Sequence, residues 1–281
     1  MIVTRFAPSP TGYLHLGHAF AALTAARAGA RFLLRIEDLD KDRTREEFVA
    51  AIFEDLAWLG LVWEEPALRQ STRSSAYGKA LAHLKPFIYP CFCTRKEIAD
   101  EIARAAEAPH IDVLRTGDIL AASRPDGPLY PGTCRRLSSA ERATRIAGGE
   151  LHAIRLDAAK AAAAAGPLTF IEGGQVHRVD PILFGDVVLA RKDLPAAYHL
   201  AVVVDDAHQG VSLITRGEDL LPATHVQRLL QVLLGYPAPA YAHHRLILDK
   251  DGRKFSKRDQ AVTLRTLRAQ GVTPAELEAL F

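Results

Sequence analysis

The chain begins with a short apolar run that leads into a turn-rich loop and then into a helical pattern. Ile2 and Val3 are apolar, residues 8–12 read Pro-Ser-Pro-Thr-Gly, and residues 19–28 have helical character. A strand, a loop and a helix in this order form the phosphate-binding arrangement of nucleotide folds, because backbone N–H groups and the helix dipole point at the loop. This feature predicts a strand-first α/β fold with a ligand site at the loop.

Two histidines, His15 and His18, lie three positions apart where the helical pattern starts. This spacing places both imidazoles on one face of a helix. Gly17 between them allows a flat base or sugar to approach the backbone. Imidazoles that donate to a phosphate stabilise the charge that develops during substitution. A pair of surface histidines beside a turn is the alternative, and the preceding loop makes it the weaker interpretation.

Two lysines, Lys254 and Lys257, follow a turn at residues 249–252 that contains Gly252. Two ammonium groups on a loop with a glycine hinge are suited to clamp a polyphosphate. Taken alone, such a basic string is usually a solvated loop. Together with the histidine pair, it indicates a site for a nucleoside triphosphate.

The composition is that of a globular protein with a net charge close to zero. The 281 residues are 48% hydrophobic, which is enough for one large or two moderate domains, and the net charge is +2. A nucleic-acid partner would therefore have to be bound by local basic patches. The sequence has no charged-then-apolar leader and no long uncharged apolar run. We expect a cytoplasmic protein with no membrane association.

A second apolar run at residues 31–36 completes a predicted βαβ unit and ends at Glu37. Carboxylates at the carboxyl end of such a strand face the crevice where ligands bind. We therefore expect Glu37 to meet a ligand amine. Acids that open the following helix are the alternative, which suits Asp40 and Asp42 better.

The C-terminal half continues the pattern of strands and helices. The apolar run at residues 200–204 predicts a buried strand, and Tyr198 just before it is suited to either packing or ligand binding. Residues 211–214 predict a further strand that leads to Arg216, a good fork for a carboxylate. Thr224 is expected to cap the next amphipathic helix.

Three cysteines, Cys91, Cys93 and Cys134, are an odd number, which argues against a disulfide framework in a cytosolic chain. Three thiolates can close on one zinc ion, and a structural zinc site needs a fourth ligand. The candidates for this ligand are His110 and Tyr130. Three buried free thiols are the alternative interpretation.

We predict an α/β protein with a Rossmann-type parallel-sheet catalytic domain, an inserted zinc-containing α+β subdomain and a short C-terminal helical segment. The insertion interrupts the βαβ series and has short strands of its own. The predicted division is 1–85 for the first half of the catalytic domain, 86–182 for the insertion, 183–235 for the second half, and 236–281 for the lysine loop and the helical segment.

Taken together, these motifs resemble those of glutamyl-tRNA synthetases of class I, in the same order along the chain. The stretches that match are Arg5 to Gly12, His15 to His18, Arg35 to Asp38, Tyr198, Ala201 to Asp206, Arg216 to Asp219 and Lys254 to Lys257. Three residues depart from the usual pattern. Leu16 and Phe255 are apolar replacements of apolar residues, whereas His199 replaces a common asparagine and affects one wall of the site.

The resemblance implies a role for each matching residue. Arg5 and Arg216 would hold the carboxylates of L-glutamate, while Ser9, Glu37 and Tyr198 would orient it. The groups that would bind ATP with Mg2+ and stabilise its reaction are His15, Gly17, His18, Lys254 and Lys257.

The short segment after Arg258 leads us to expect no anticodon-binding domain. In this respect the chain resembles the glutamyl-queuosine tRNA(Asp) synthetases. That resemblance implies a zinc site formed by Cys91, Cys93, Tyr130 and Cys134. It also implies activation of glutamate without tRNA, and then transfer of glutamate to queuosine at the wobble position of tRNA(Asp). We expect the protein to be a monomer.

Other functions remain open at this stage. A glutamate-activating paralogue could charge another acceptor, and a paralogue without catalytic activity could only bind tRNA. The second alternative is weakened because both histidines and both lysines of the signatures are present. Pantothenate synthetases and cytidylyltransferases share histidine and lysine signatures, but the set of Glu37, Tyr198 and Arg216 argues against them.

Overall fold

The structure is a computed structural model that describes residues 1–106, 129–247 and 262–281. Within these ranges the strands are β1 (Val3–Phe6), β2 (Arg31–Ile36), β3 (Glu64–Arg69), β4 (Ile88–Cys91), β5 (Ala153–Leu156), β6 (Thr169–Glu172), β7 (Gln175–Arg178), β8 (Val188–Ala190), β9 (Leu213–Gly217) and β10 (Ala240–His244). The α-helices are α1 (Leu16–Ala28), α2 (Glu46–Trp58), α3 (Ser74–His83), α4 (Arg95–Ala106), α5 (Ser139–Ala147), α6 (Ala158–Ala165), α7 (Tyr198–His208), α8 (Ala223–Leu233), α9 (Leu264–Ala269) and α10 (Pro274–Glu278).

The first three strands form a parallel sheet in the order β1-β2-β3. β1 and β2 pair in register from Val3 opposite Arg31 to Phe6 opposite Leu34, with α1 as the crossover. The predicted βαβ unit and the α/β class with a parallel sheet are thus confirmed. The loop after β1 lies at the carboxyl end of this sheet, where α/β folds bind ligands.

A second sheet of four strands, in the order β7-β6-β10-β9, lies beside β1. Ser212, just before β9, donates its N–H to the carbonyl of Val3 at 3.0 Å, and Arg5 of β1 reaches the carbonyl of Thr215 in β9. β9 and β10 are parallel to each other. The carboxyl ends of β1, β2 and β9 therefore face the same crevice.

Residues 198–208 form the helix α7, so the prediction of a buried strand at residues 200–204 was wrong. Residues 199–206 are all buried, because α7 packs against α3, α8 and β8 on different sides. A helix that is apolar all round has no amphipathic period, and a short apolar run does not distinguish it from a buried strand.

The third sheet is antiparallel and has the order β4-β5-β8. It begins within the predicted insertion and extends past residue 182, because β8 at Val188–Ala190 is its third strand. Within the described ranges, no helix is both long enough and apolar enough to cross a bilayer.

Candidate active site

Arg5 is fixed at the carboxyl end of β1 by two buried hydrogen bonds. Its Nε donates to Oδ1 of Asp206 at 2.9 Å, and Nη1 donates to the carbonyl of Thr215 at 3.1 Å. The first contact ties β1 to α7 and the second ties it to β9. Since Thr215 directly precedes Arg216, the two arginines of the predicted glutamate site stand on neighbouring strands.

Asp206 is shared by two arginines, the second of which is Arg35 on β2. Nη1 of Arg35 donates to the same Oδ1 atom at 2.6 Å, and the Arg35 side chain is completely buried. Burial opposes the charged form of Asp206, but Arg5 and Arg35 outweigh burial and lower the pKa of Asp206. A carboxylate therefore holds both arginines in the interior.

Glu37 lies at the mouth of this network, at the end of β2. Its N–H donates to the carbonyl of Pro8 at 3.0 Å, which holds the loop after β1 against the strand. Its side chain is 14% exposed, and one carboxylate oxygen is 3.5 Å from Nη2 of Arg35. Burial raises the pKa of Glu37, while Arg35 and Arg5 counteract part of the increase. A cationic group bound here would stabilise the ionised carboxylate.

The neighbouring acid, Asp205, anchors α7 from the other side. Its carboxylate accepts hydrogen bonds from Nε2 of Gln70 at 2.9 Å, Nε of Arg73 at 2.6 Å and the hydroxyl of Tyr77 at 2.8 Å. Gln70 and Arg73 lie between β3 and α3, and Tyr77 lies in α3. The two adjacent acids therefore tie α7 to β1, to β2 and to the segment that includes the start of α3.

Arg216, on β9, is 7% exposed and is held on every guanidinium nitrogen. Nε donates to Nε2 of His243 at 3.0 Å, Nη1 to Gln227 at 2.7 Å and Nη2 to the hydroxyl of Thr224 at 2.7 Å. The prediction that Thr224 caps α8 was wrong, because Pro222 is the cap and Thr224 lies inside the helix. Its hydroxyl accepts a hydrogen bond from Arg216 instead.

Ser9 and Tyr198 are the two other residues of the predicted glutamate site. Ser9 is half-buried in the loop after β1, and its carbonyl accepts the N–H of Thr11 at 2.9 Å. Tyr198 is the first residue of α7 and is 36% exposed, so it is not a core residue. The next residue, His199, is buried, with its ring 5.3 Å from that of Tyr198.

The two histidines of the first motif contact each other. His15 caps α1, its backbone N–H donates to Nδ1 of His18 at 3.2 Å, and the ring centroids are 3.8 Å apart. A Cβ atom added at Gly17 would lie 3.2 Å from the His15 ring. The glycine therefore allows the close packing of the pair at the start of the helix.

Lys254 and Lys257 lie outside the described residues, as does His110. The described chain resumes at residue 262, and Thr263 forms a bridge to His15. Leu264 donates its N–H to the carbonyl of Leu14 at 2.8 Å. The segment that directly follows the lysine motif in sequence is thus bound to the histidine motif.

The three cysteines converge on one point at the end of β4. Their sulfur atoms lie within 4.8 Å of one another, and Cys93 Sγ is 3.4 Å from Cys134 Sγ. The hydroxyl of Tyr130 is 3.4 Å from Cys93 Sγ and accepts the N–H of Cys134 at 2.8 Å. Four donor atoms of types that bind zinc therefore surround one small volume.

Several residues that fix the site were not assigned a role from the sequence. Arg35 and Asp206 fall within recognised motifs, yet no spacing rule joins residues that are 171 positions apart. Glu172, Gln227 and His243 stand in ordinary polar positions of strands and a helix. The signal in the sequence is the acid pair Asp205-Asp206, which follows the apolar run at residues 200–204. Such a pair indicates buried partners but does not identify them.

Comparisons with known proteins identify the family of this chain. The family described as tRNA synthetases class I (E and Q), catalytic domain, matches residues 1–280. Glutamyl-Q tRNA(Asp) synthetase of Rhodobacter capsulatus is 45% identical over 100% of this chain and 99% of its own length. The protein of the same name from Nocardia farcinica is 45% identical over 99% of this chain and 82% of its own length.

Among solved structures, the glutamate-tRNA synthetase of Elizabethkingia anophelis superposes with a TM-score of 0.71 at 29% identity, covering 92% of this chain. The match covers 53% of that synthetase, so the chain spans about half the length of this relative. The chain therefore belongs to the family of class I tRNA synthetase catalytic domains that serve glutamate and glutamine.

Proposed function

We propose that the protein activates L-glutamate with ATP to give glutamyl-adenylate without tRNA, and then transfers glutamate to queuosine in tRNA(Asp). The activation of glutamate is supported by the charges of the crevice. Arg5 and Arg216 match the two carboxylates of glutamate, and the largely buried acid Glu37 matches its ammonium. The second half is supported by full-length similarity to proteins named Glutamyl-Q tRNA(Asp) synthetase.

In the first step a carboxylate oxygen of glutamate attacks the α-phosphorus of ATP, and pyrophosphate leaves. Arg5 and Arg216 hold the carboxylates, Glu37 receives the ammonium, and Ser9 and Tyr198 complete the wall. His15 and His18, with Gly17 between them, donate to the phosphates, and Lys254 and Lys257 neutralise the charge that develops. Mg2+ bound with ATP supplies further charge neutralisation.

In the second step a hydroxyl of the queuosine cyclopentene diol attacks the adenylate carbonyl. An ester forms and AMP leaves. The same crevice must admit the wobble nucleotide, so we propose that it receives an anticodon loop. The division of the chain into a catalytic domain with an insertion at residues 86–182 remains a proposal.

We also propose that Cys91, Cys93, Cys134 and Tyr130 hold one structural zinc ion. The donor set fits, because three sulfur atoms and a phenol oxygen converge inside a small apolar cluster that includes Phe92. The N–H of Phe92 donates to Cys134 Sγ at 3.3 Å, as is usual for a metal thiolate. Such an ion would stabilise the local fold and take no part in the reaction.

The proposal is tested with labelled glutamate, ATP and tRNA pools with and without queuosine. We expect label in tRNA only when queuosine is present, released with the modified base and not with the 3′ terminus. Label at the 3′ end would favour the alternative acceptor, and no glutamate-dependent consumption of ATP would contradict the enzymatic function.

A further inference from the structure

The anchoring of Arg216 leaves a defined part of its guanidinium for a ligand. A guanidinium has five N–H groups and never accepts a hydrogen bond. His243, Gln227 and Thr224 each take one of them, on Nε, Nη1 and Nη2 respectively. One N–H therefore remains on each terminal nitrogen, which is the set that a bidentate carboxylate requires.

The contact with His243 determines the protonation state of that imidazole. Arg216 and His243 are register partners on the adjacent parallel strands β9 and β10. Since Nε of Arg216 can only donate, Nε2 of His243 must accept, and the ring must be neutral with its proton on Nδ1. A protonated imidazole would lose this bond and would place a second cation beside the guanidinium.

Glu172, at the end of β6, holds His243 in that tautomer. One carboxylate oxygen accepts the backbone N–H of His243 at 2.8 Å, and the other lies 2.7 Å from Nδ1. The His243 side chain is only 2% exposed. The three side chains thus form a buried series from a carboxylate through a neutral imidazole to a guanidinium.

The groups around His243 come from three strands. Arg216 faces it from β9, Glu172 from β6, and Tyr241 and His244 from its own strand, the Tyr241 ring being parallel to the imidazole at 6.1 Å. Burial lowers the pKa of His243 and Arg216 lowers it further, while Glu172 raises it. The imidazole is therefore neutral at physiological pH.

We propose that Glu172 and His243 are positioning residues of the glutamate site, which fix the Arg216 guanidinium in the orientation that receives a substrate carboxylate. Neutral His243 accepts from Arg216, and Glu172 keeps the proton on the opposite nitrogen. This inference rests on the proposed activation of glutamate. Arg216 pre-organised in this way loses less side-chain freedom when the substrate binds.

The test measures glutamate-dependent pyrophosphate exchange from about pH 5 to about pH 8.5, with KM determined separately for glutamate and for ATP. The variants are His243→Ala, His243→Gln and Glu172→Gln. The matched control is His177→Gln, which alters an exposed histidine on β7 of the same sheet. Thermal melting of each variant establishes that it is folded.

Each variant has a distinct expected result. In the wild type, KM for glutamate rises as the pH falls through the pKa of His243. His243→Ala raises KM for glutamate on the order of tenfold or more at pH values above the pKa of His243 and leaves KM for ATP unchanged. His243→Gln retains an acceptor oxygen that does not titrate, so the part of the rise at low pH that comes from His243 disappears, and only the part that comes from protonation of Glu37 remains. Glu172→Gln shifts the rise to lower pH, because the carboxylate that favours protonation is lost.

Two results would overturn the inference while leaving glutamate activation intact. One is an unchanged KM for glutamate in folded His243→Ala. The other is a rise at low pH that is as large in His243→Gln as in the wild type. If the wild type shows no glutamate-dependent exchange, the proposed function fails and this inference fails with it. His177→Gln should match the wild type throughout.

Discussion

At the scale of single residues, the site is organised by charge. At neutral pH glutamate carries two carboxylates and one ammonium, and Arg5, Arg216 and Glu37 oppose them in sign and number. Burial raises the pKa of Glu37, so the residues of the site alone do not fully stabilise its ionised form. An ammonium ligand would lower that pKa and gain free energy from doing so. The network of Arg35 and Asp206 keeps the acid and Arg5 in place.

We expect glutamate to be preferred over glutamine and over aspartate by at least about a hundredfold in activation efficiency, or about 2.7 kcal/mol. Glutamine leaves a buried guanidinium opposite an amide, and aspartate is about one methylene too short to span both arginines. Arg216→Gln should abolish most glutamate activation and reduce the preference for glutamate over glutamine in activation efficiency. Pyrophosphate exchange with each amino acid measures this, with exposed Arg178→Gln as the control. Wild-type selectivity in Arg216→Gln would exclude Arg216 from the pocket.

At the scale of elements, local patterns identified much of the sheet and several helices. The crossover from β1 to β2 followed from apolar runs and a turn-rich loop. Thr94 caps α4, and Glu97 closes the capping box. The helix α7 could not be predicted in this way, because every side of it is buried. Strands β7 and β10 are short and contain histidines and other polar residues, so they lack an apolar period.

Asp55 of α2 provides a test of how the C-terminal helices pack. It is fully buried, its carboxylate oxygens have no hydrogen-bond partner among the described residues, and Arg268 of α9 lies 3.8 Å away. Burial raises its pKa to about 6, and Arg268 offsets only part of this effect. The folded state therefore keeps a proton that the unfolded state releases. As a result, the free energy of unfolding falls as the pH rises from about 4 to about 6.

Asp55→Asn should remove this dependence. We expect the free energy of unfolding to increase by about 1–2 kcal/mol above pH 6, seen as a melting temperature a few degrees higher, and to stay unchanged below pH 4. Thermal unfolding across this pH range measures the difference, and exposed Asp42→Asn serves as the control. A gain that is the same at every pH would show that ionisation of Asp55 is not the cause.

The cysteine cluster links β4 to the segment around Cys134, so the proposed zinc ion should stabilise both elements. We expect about one zinc ion per chain by elemental analysis. Cys134→Ser or a strong chelator should remove the zinc and increase hydrogen exchange at residues 88–93 and 130–137. The control variant Ser139→Ala, at an exposed position, should change neither the zinc content nor the hydrogen exchange. Full zinc occupancy in Tyr130→Phe with unchanged affinity would exclude the phenol as a ligand.

At the scale of the whole molecule, the sequence indicated candidate ligands for glutamate but not the residues that hold them. Glu37 and Arg216 were predicted because each follows an apolar run, and Arg5 was predicted from the resemblance to glutamyl-tRNA synthetases. Their partners come from distant segments, such as Glu172, which lies 71 positions before His243. Contacts of this kind depend on how the sheets meet, and the period of a single strand carries no information about them.

Contacts within the described residues hold the proposed glutamate pocket together, and this leads to a prediction about the order of the reaction. β1, β2, α7 and β9 hold one another through Asp206, Arg35 and the contact of Arg5 with Thr215, so no RNA is needed to assemble the glutamate site. Glutamate-dependent pyrophosphate exchange should therefore proceed at full rate without tRNA. His18→Ala should slow it by roughly two to three decades, the loss expected for one pre-organised donor to the reacting phosphate. The exposed His177→Gln should retain the wild-type rate. Exchange that appears only after tRNA is added would mean that RNA binding completes the site.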